Sequence, residues 1–144
     1  MTHFEVAIDI QAPPDRVWAV MSDVERWREW TASITRIEKL DPGPLRVGTR
    51  ARVYQPKLLP ALWEVTEVRD RSFTWISRSP GVLATAVHSV EPTSAGSRAI
   101  LELTFSGRLS SLIGRLMGGI TRRYMAMEAA GLKQRSEQAL TQTA

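Results

Sequence analysis

The sequence predicts an α+β domain: an antiparallel sheet of seven strands, two short helices between strands 1 and 2, and one long helix at the C-terminus. Three observations carry that expectation. Apolar and polar residues alternate in short runs bounded by Pro, Gly and Asp, the period-two signature of strands with one buried face. From residue 34 onward the gaps between consecutive runs are too short for parallel crossovers, so neighbouring strands pair antiparallel. Beyond Gly107 the apolar spacing changes to three and four, which is helical. At 144 residues, 43% apolar and 24% charged, the chain has the size and composition of a single globular domain, residues 1–144, able to bury roughly two-thirds of its extended surface.

Phe4, Val6, Ile8 and Ile10 alternate with Glu5, Ala7, Asp9 and Gln11 as the first strand, stopped by Pro13-Pro14. Asp15 opens a helix in which Val17, Trp18 and Met21 share a face. Ser22 or Asp23 is a good N-cap for a second short helix, Val24 to Trp30, with Trp27 and Trp30 three apart on one side. Strands follow over Ile34 to Leu40, ended by Asp41-Pro-Gly-Pro44, and over Val47 to Gln55, ended by Pro56. Leu62 to Arg69 puts Trp63, Val65 and Glu67 on one face and Leu62, Glu64, Thr66 and Val68 on the other. Asp70-Arg71 turns into Ser72 to Ser79, where Phe73 and Trp75 share a face, and Pro80-Gly81 turns into Leu83 to Glu91. A loop over Pro92 to Gly96 leads to the last strand, Ser97 to Ser106, with Ala99, Leu101, Leu103 and Phe105 on one side. In the final helix Leu109, Leu112/Ile113, Leu116, Ile120, Tyr124 and Met127 form the apolar stripe, and Arg115, Arg122, Glu128, Lys133 and Arg135 the opposite side. Gly114, Gly118, Gly119 and Gly131 are costly in a helix, at about 1 kcal/mol each. Gly118-Gly119 is a candidate break, and small residues on a packing face leave room for something beside the helix.

Composition narrows the function classes. With no cysteine there is no disulfide, thiol catalysis, zinc ribbon or cysteine-ligated cluster. With only His3 and His88, and His3 at the N-terminus, a histidine-rich metal site or a two-histidine-one-carboxylate iron site has no parts, so no metal and no cofactor are expected. No Gly-x-Ser-x-Gly elbow, Walker A or Gly-x-Gly-x-x-Gly element is present. The formal charge is +4 and the isoelectric point about 10.1. The arginines are interleaved with acids, however, as in Glu25-Arg26 and Arg28-Glu29, so nucleic acid is not expected. Arg115, Arg122 and Arg123 read as the solvated side of the last helix. The start Met-Thr-His-Phe-Glu-Val has neither a basic nor an apolar leader region, and no apolar run reaches the ~18 residues of a membrane span. A cytoplasmic protein without integral membrane association, monomer or homodimer, is the expectation.

The order of elements, together with Ile8-Asp-Ile-Gln-Ala-Pro-Pro-Asp-Arg-Val-Trp18, Asp23-Val-Glu-Arg-Trp-Arg-Glu-Trp30, Val47-Gly-Thr-Arg50, Trp63-Glu-Val-Thr-Glu67, Phe73-Thr-Trp75 and Gly96-Ser-Arg98, resembles the START-like (SRPBCC) superfamily and its polyketide cyclase/dehydrase-like branch. The resemblance covers residues 3–140. It implies the helix-grip fold, a strongly bent antiparallel sheet wrapped around the long helix with a cavity between them. It does not specify an activity, because one scaffold serves lipid transfer, hormone binding and ring-closing enzymes.

The residues themselves point to the same interior. The strand faces read as inward carry Trp63, Val65, Phe73, Trp75, Leu101, Leu103 and Phe105, and the helix offers Leu116, Ile120, Tyr124 and Met127. Aromatic walls bring large apolar area with few rotamers to freeze, which suits an apolar ligand, although each such residue alone is ordinary core. His88 shares a strand face with Ala84, Ala86 and Val90, small neighbours that leave space around an imidazole. It is the candidate polar contact to a ligand and, more weakly, the candidate catalytic acid or base. Glu67, Tyr54 and Tyr124 are its candidate partners, and Arg123 is placed on the solvated surface or at the cavity mouth. The expected function is binding of a small hydrophobic molecule, lipid-, polyketide- or terpenoid-like. The alternatives are a cyclase/aromatase or dehydratase using the same cavity, and a protein-interaction module working through the arginine-bearing helix face.

Overall fold

The computed structural model describes residues 1–143, with side chains described through residue 138. Its elements are β1 (Thr2–Ile10), α1 (Pro14–Ser22), a 3-10 helix (Val24–Glu29), β2 (Arg36–Lys39), β3 (Arg50–Tyr54), β4 (Ala61–Arg69), β5 (Ser72–Ser79), β6 (Val82–Thr93), β7 (Gly96–Ser106) and α2 (Ser110–Thr143). The seven strands form one antiparallel sheet in the order β1-β7-β6-β5-β4-β3-β2. Strands β2 to β7 are a meander, as the short gaps require. β1 joins the far edge beside β7, so α1 and the 3-10 helix carry the chain from one edge of the sheet to the other. Side chains from β3, β4, β5, β6 and β7 converge with α2 on one cavity, which a flat sheet does not allow. This is the helix-grip arrangement of a bent sheet around one long helix.

Several local details differ from the sequence expectation. The alternation from Val47 becomes a strand only at Arg50, because Arg46 to Thr49 closes a turn in which the Thr49 N–H donates to the Arg46 carbonyl at 3.0 Å and the Arg46 N–H to Thr49 Oγ1 at 3.0 Å. The loop expected over Pro92 to Gly96 shrinks to a two-residue turn, since Thr93 still pairs with Gly96. In β4 the register shifts between Val65 and Glu67. An extra residue in one strand reverses every side chain beyond it, so Val68 turns in opposite Phe73 and Glu67 turns out, where it pairs with Arg69 at 3.1 Å. The N-cap of the 3-10 helix is Asp23, without a side-chain capping bond.

The core lies where α1, the 3-10 helix and the C-terminal half of α2 meet the sheet. Ile10, Val17, Met21, Val24, Phe73, Ala99 and Leu132 are buried there. α2 runs unbroken through Gly118-Gly119. Its small residues admit neighbours, as expected of a packing face: a Cβ on Gly114 would lie 2.5 Å from Thr2 Oγ1, and one on Gly131 would overlap the Trp30 carbonyl oxygen. The inward stripe is therefore rotated from the one chosen on hydrophobicity. Gly114, Gly118, Ala129, Leu132 and Ser136 are buried, while Leu109, Leu112 and Leu116 are exposed. Close approach selects small residues, and a reading that follows the largest apolar side chains finds the neighbouring face instead. Glu128, assigned to the solvent side, is drawn inward by the same rotation.

Candidate functional site

Between the sheet and the N-terminal half of α2 lies a cavity of about 590 Å³. Its floor is aromatic. Trp75 on β5 sits 5.5 Å from Trp63 on β4 and 5.8 Å from Trp27 of the 3-10 helix, centroid to centroid. Trp27 is held by its indole N–H, which donates to the Met21 carbonyl at 2.9 Å. On β6, Ala86 is small between Trp75 and Leu103, and Ala84 between Ser77 and Phe105, which leaves room above them. Leu101, Leu103 and Phe105 form the β7 wall, and Ile113, Met117, Ile120, Thr121 and Met125 form the roof on α2. Lys57, Leu58 and Leu59, in the loop between β3 and β4, line the mouth. The Tyr124 hydroxyl ties that loop to α2 by donating to the Pro56 carbonyl at 2.5 Å.

One polar pair is buried in this apolar surface. His88 Nε2 lies 2.9 Å from Glu128 Oε1, with the two side chains 7% and 15% exposed. The imidazole stacks on Phe73, its cross-strand neighbour, at 4.8 Å and 5° between planes, and Trp27 lies 5.1 Å away. Register and stacking thus set the ring angle, and α2 brings the carboxylate to it. The contact is an Nε2–H donating to the carboxylate, a charge-assisted bond of the strong kind. Nδ1 is buried with no partner among the described residues. Among the described residues the second carboxylate oxygen has no hydrogen-bond partner and is not a fully buried atom, and Glu128 is part of the cavity lining. Chemically, the pair offers an acceptor to a ligand hydroxyl and a linked carboxylate and imidazole able to hold or move a proton.

Of the residues read as lining a pocket, Trp63, Trp75, His88, Leu101, Leu103, Phe105, Ile120 and Tyr124 border the cavity. Val65 and Phe73 are fully buried in the core beneath it. Leu116 points to solvent at 68% exposure, and Met127 lies outside the lining. Glu67 and Tyr54 do not reach His88: Glu67 follows the bulge outward, and Tyr54 lies under the Arg36 guanidinium at 4.5 Å. Tyr124 spends its hydroxyl on Pro56, and Arg123 is exposed on α2. Glu128 is the polar cavity residue that the sequence does not place inside. Its signal was present, because Glu128 stands one turn beyond Tyr124 and hence on the same face. Trp27, Met117 and Met125 were likewise not placed in the cavity. His3, expected at a frayed terminus, is in β1 on the outer face, with Nδ1 2.8 Å from Thr104 Oγ1.

A family model described as polyketide cyclase/dehydrase and lipid transport matches residues 1–137. No curated protein matches the chain. Among solved structures, the ZhuI aromatase/cyclase from Streptomyces sp. R1128 superposes with a TM-score of 0.80 at 16% identity, over 96% of this chain and 95% of that one. TTHA0849 from Thermus thermophilus gives 0.77 at 19% identity, over 96% and 99%. The di-domain aromatase/cyclase BexL of the BE-7585A biosynthetic pathway gives 0.72 at 20% identity, over 95% of this chain and 47% of that one.

Proposed function

The chain belongs to the polyketide cyclase/dehydrase and lipid transport family, and on that premise we propose that it binds a small hydrophobic molecule bearing a hydroxyl or enol group in the cavity between the sheet and α2. The observation that carries this reading is the combination of an aromatic-walled space of about 590 Å³ with one buried polar pair, His88 and Glu128. The volume falls within the ~300–1,000 Å³ of ordinary small-molecule sites, which are apolar with a few placed polar groups. The tryptophan walls take the apolar body, and the second carboxylate oxygen of Glu128 accepts the hydroxyl.

Native mass spectrometry and quenching of the cavity tryptophans test it, with a panel of fatty acids, sterols and phenolic aromatic polyketides. Phenolic compounds are expected to bind more tightly than their deoxy analogues. Glu128→Gln keeps the shape and is expected to weaken phenol binding by about tenfold, the worth of a hydrogen bond to a charged group. A panel that leaves the protein empty and its fluorescence unchanged overturns the proposal.

The His88–Glu128 contact also favours a second reading, a cyclase or dehydratase that positions a chain and moves one proton. The two readings separate kinetically. Under catalysis His88→Ala lowers turnover and leaves affinity nearly intact. Under binding alone it costs about 1 kcal/mol of affinity.

A further inference from the structure

The charge of this protein is not spread over it. Between Gly107 and Met127 there are four arginines, Arg108, Arg115, Arg122 and Arg123, and no acidic residue. These four equal the formal +4 of the whole chain, so the rest of the molecule is balanced. Of the twelve arginines elsewhere, seven, Arg26, Arg50, Arg52, Arg69, Arg71, Arg98 and Arg135, pair with a carboxylate. Among the described residues, none of the four between Gly107 and Met127 does so. Arg122 lies over the Phe4 ring at 5.0 Å, and Arg108, Arg115 and Arg123 stand in solvent.

The same stretch exposes Leu109, Leu112 and Leu116 at 43%, 50% and 68%. Their spacing of three and four puts them on one face, and Arg123, seven beyond Leu116, continues it. This face adjoins the cavity mouth. Leu109 packs over Gly81, in the turn between β5 and β6 whose Ser79 and Pro80 line the cavity. Across the mouth, Leu59 is 88% exposed beside Lys57. We propose that this surface docks on the face of an anionic phospholipid bilayer, with Leu59, Leu112 and Leu116 entering the interface and Arg108, Arg115 and Arg123 meeting the headgroups.

An apolar stripe flanked by arginines, without acids, is what holds a helix flat in a bilayer interface. Leucines exposed on both sides of an opening suit insertion into a soft phase. Docked in this way, the mouth faces the acyl region, and an apolar guest passes between membrane and cavity without crossing water, a consequence that rests on the ligand-binding proposal. The docking itself needs no guest.

The test is flotation of the full chain, without ligand, with phosphatidylcholine vesicles and with vesicles containing about 30% phosphatidylglycerol. Flotation is expected with the anionic vesicles only, and about 0.5 M NaCl is expected to release the protein. Leu112→Gln/Leu116→Gln and Arg115→Gln/Arg123→Gln are each expected to reduce partition about tenfold, with melting temperatures and native-state ligand spectra unchanged because these side chains touch neither core nor cavity. Absence of flotation with anionic vesicles overturns the proposal, as does equal flotation with phosphatidylcholine alone or flotation unchanged in both variants. Salt-sensitive capture of an acidic carrier protein without any vesicle association also overturns it and assigns the face to a protein partner.

Discussion

Two glycines of α2 predict opposite responses to the same substitution. Among the described residues, nothing lies within 4 Å of where a Cβ on Gly119 would stand. Gly119→Ala therefore gains helix propensity alone, up to about 1 kcal/mol. At Gly131 the new methyl would overlap the Trp30 carbonyl oxygen and lie 2.9 Å from Trp30 Cε3. The obstruction is backbone, and Trp30 is braced by Trp27 at 5.7 Å, itself packed on Phe73 and Trp75, so α2 must move. Overpacking costs about 1–3 kcal/mol, and a rigid neighbour puts this case at or above the upper end. Less the propensity gain, the net loss is about 2 kcal/mol. For 144 residues the unfolding entropy near the midpoint is roughly 300 cal/mol/K, or about 3 °C per kcal/mol. Differential scanning calorimetry should show Gly119→Ala rising by about 3 °C and Gly131→Ala falling by about 6–7 °C. The falling variant should also change the environment of Trp27 in near-ultraviolet circular dichroism. A Gly131→Ala midpoint that rises as far as that of Gly119→Ala would refute the seating of α2 against Trp30, and with it the geometry that carries Glu128 to His88.

Two further outcomes follow from the same coordinates. Ala84→Phe fills the cavity from the β6 side, where the residue is only partly buried; binding of the largest panel compounds should fall at least tenfold while the melting temperature stays within a few degrees, and undiminished binding would place the ligand elsewhere. Glu137 accepts from Lys133 Nζ at 2.6 Å and from the Gln11 N–H at 2.8 Å, and these bonds, the lysine's first, lower its pKa against the opposing effect of burial. A lowered native value means that the carboxylate stabilises the fold above the ordinary glutamate pKa of 4.5 and that this contribution disappears as the pH falls through the native value. Thermal melts should show wild type above Glu137→Gln near neutral pH, with the gap closing as the pH falls below the ordinary 4.5; a gap that stays constant on acidification would be incompatible with the ion pair.

How far the site was legible depends on what each residue's neighbours demand. Trp63, Trp75, Leu101, Leu103 and Phe105 were readable because strand alternation is strict and bulky residues on the buried face have nowhere else to go. Glu67 and Val68 exchanged faces because one bulge reverses the alternation, and no residue type announces it. Leu116 and Glu128 exchanged sides because a helix carries overlapping stripes offset by a fraction of a turn, and the partner surface selects between them. Here the partner was β1, pressed against glycines.

Taken alone, the amino-acid order determined the elements, their antiparallel succession and the aromatic interior, since periodicity and turn chemistry are local properties that neighbours along the chain enforce. It also determined that the positive charge gathers on one half of one helix. Only the tertiary structure decided which face of that helix turns inward, that His88 meets Glu128 forty residues away, and that Leu112 and Leu116 are left exposed beside the cavity-lining face. Those are contacts between distant segments, governed by how closely backbones approach, and a single glycine at the crossing has more say in them than the hydrophobicity of the stripe.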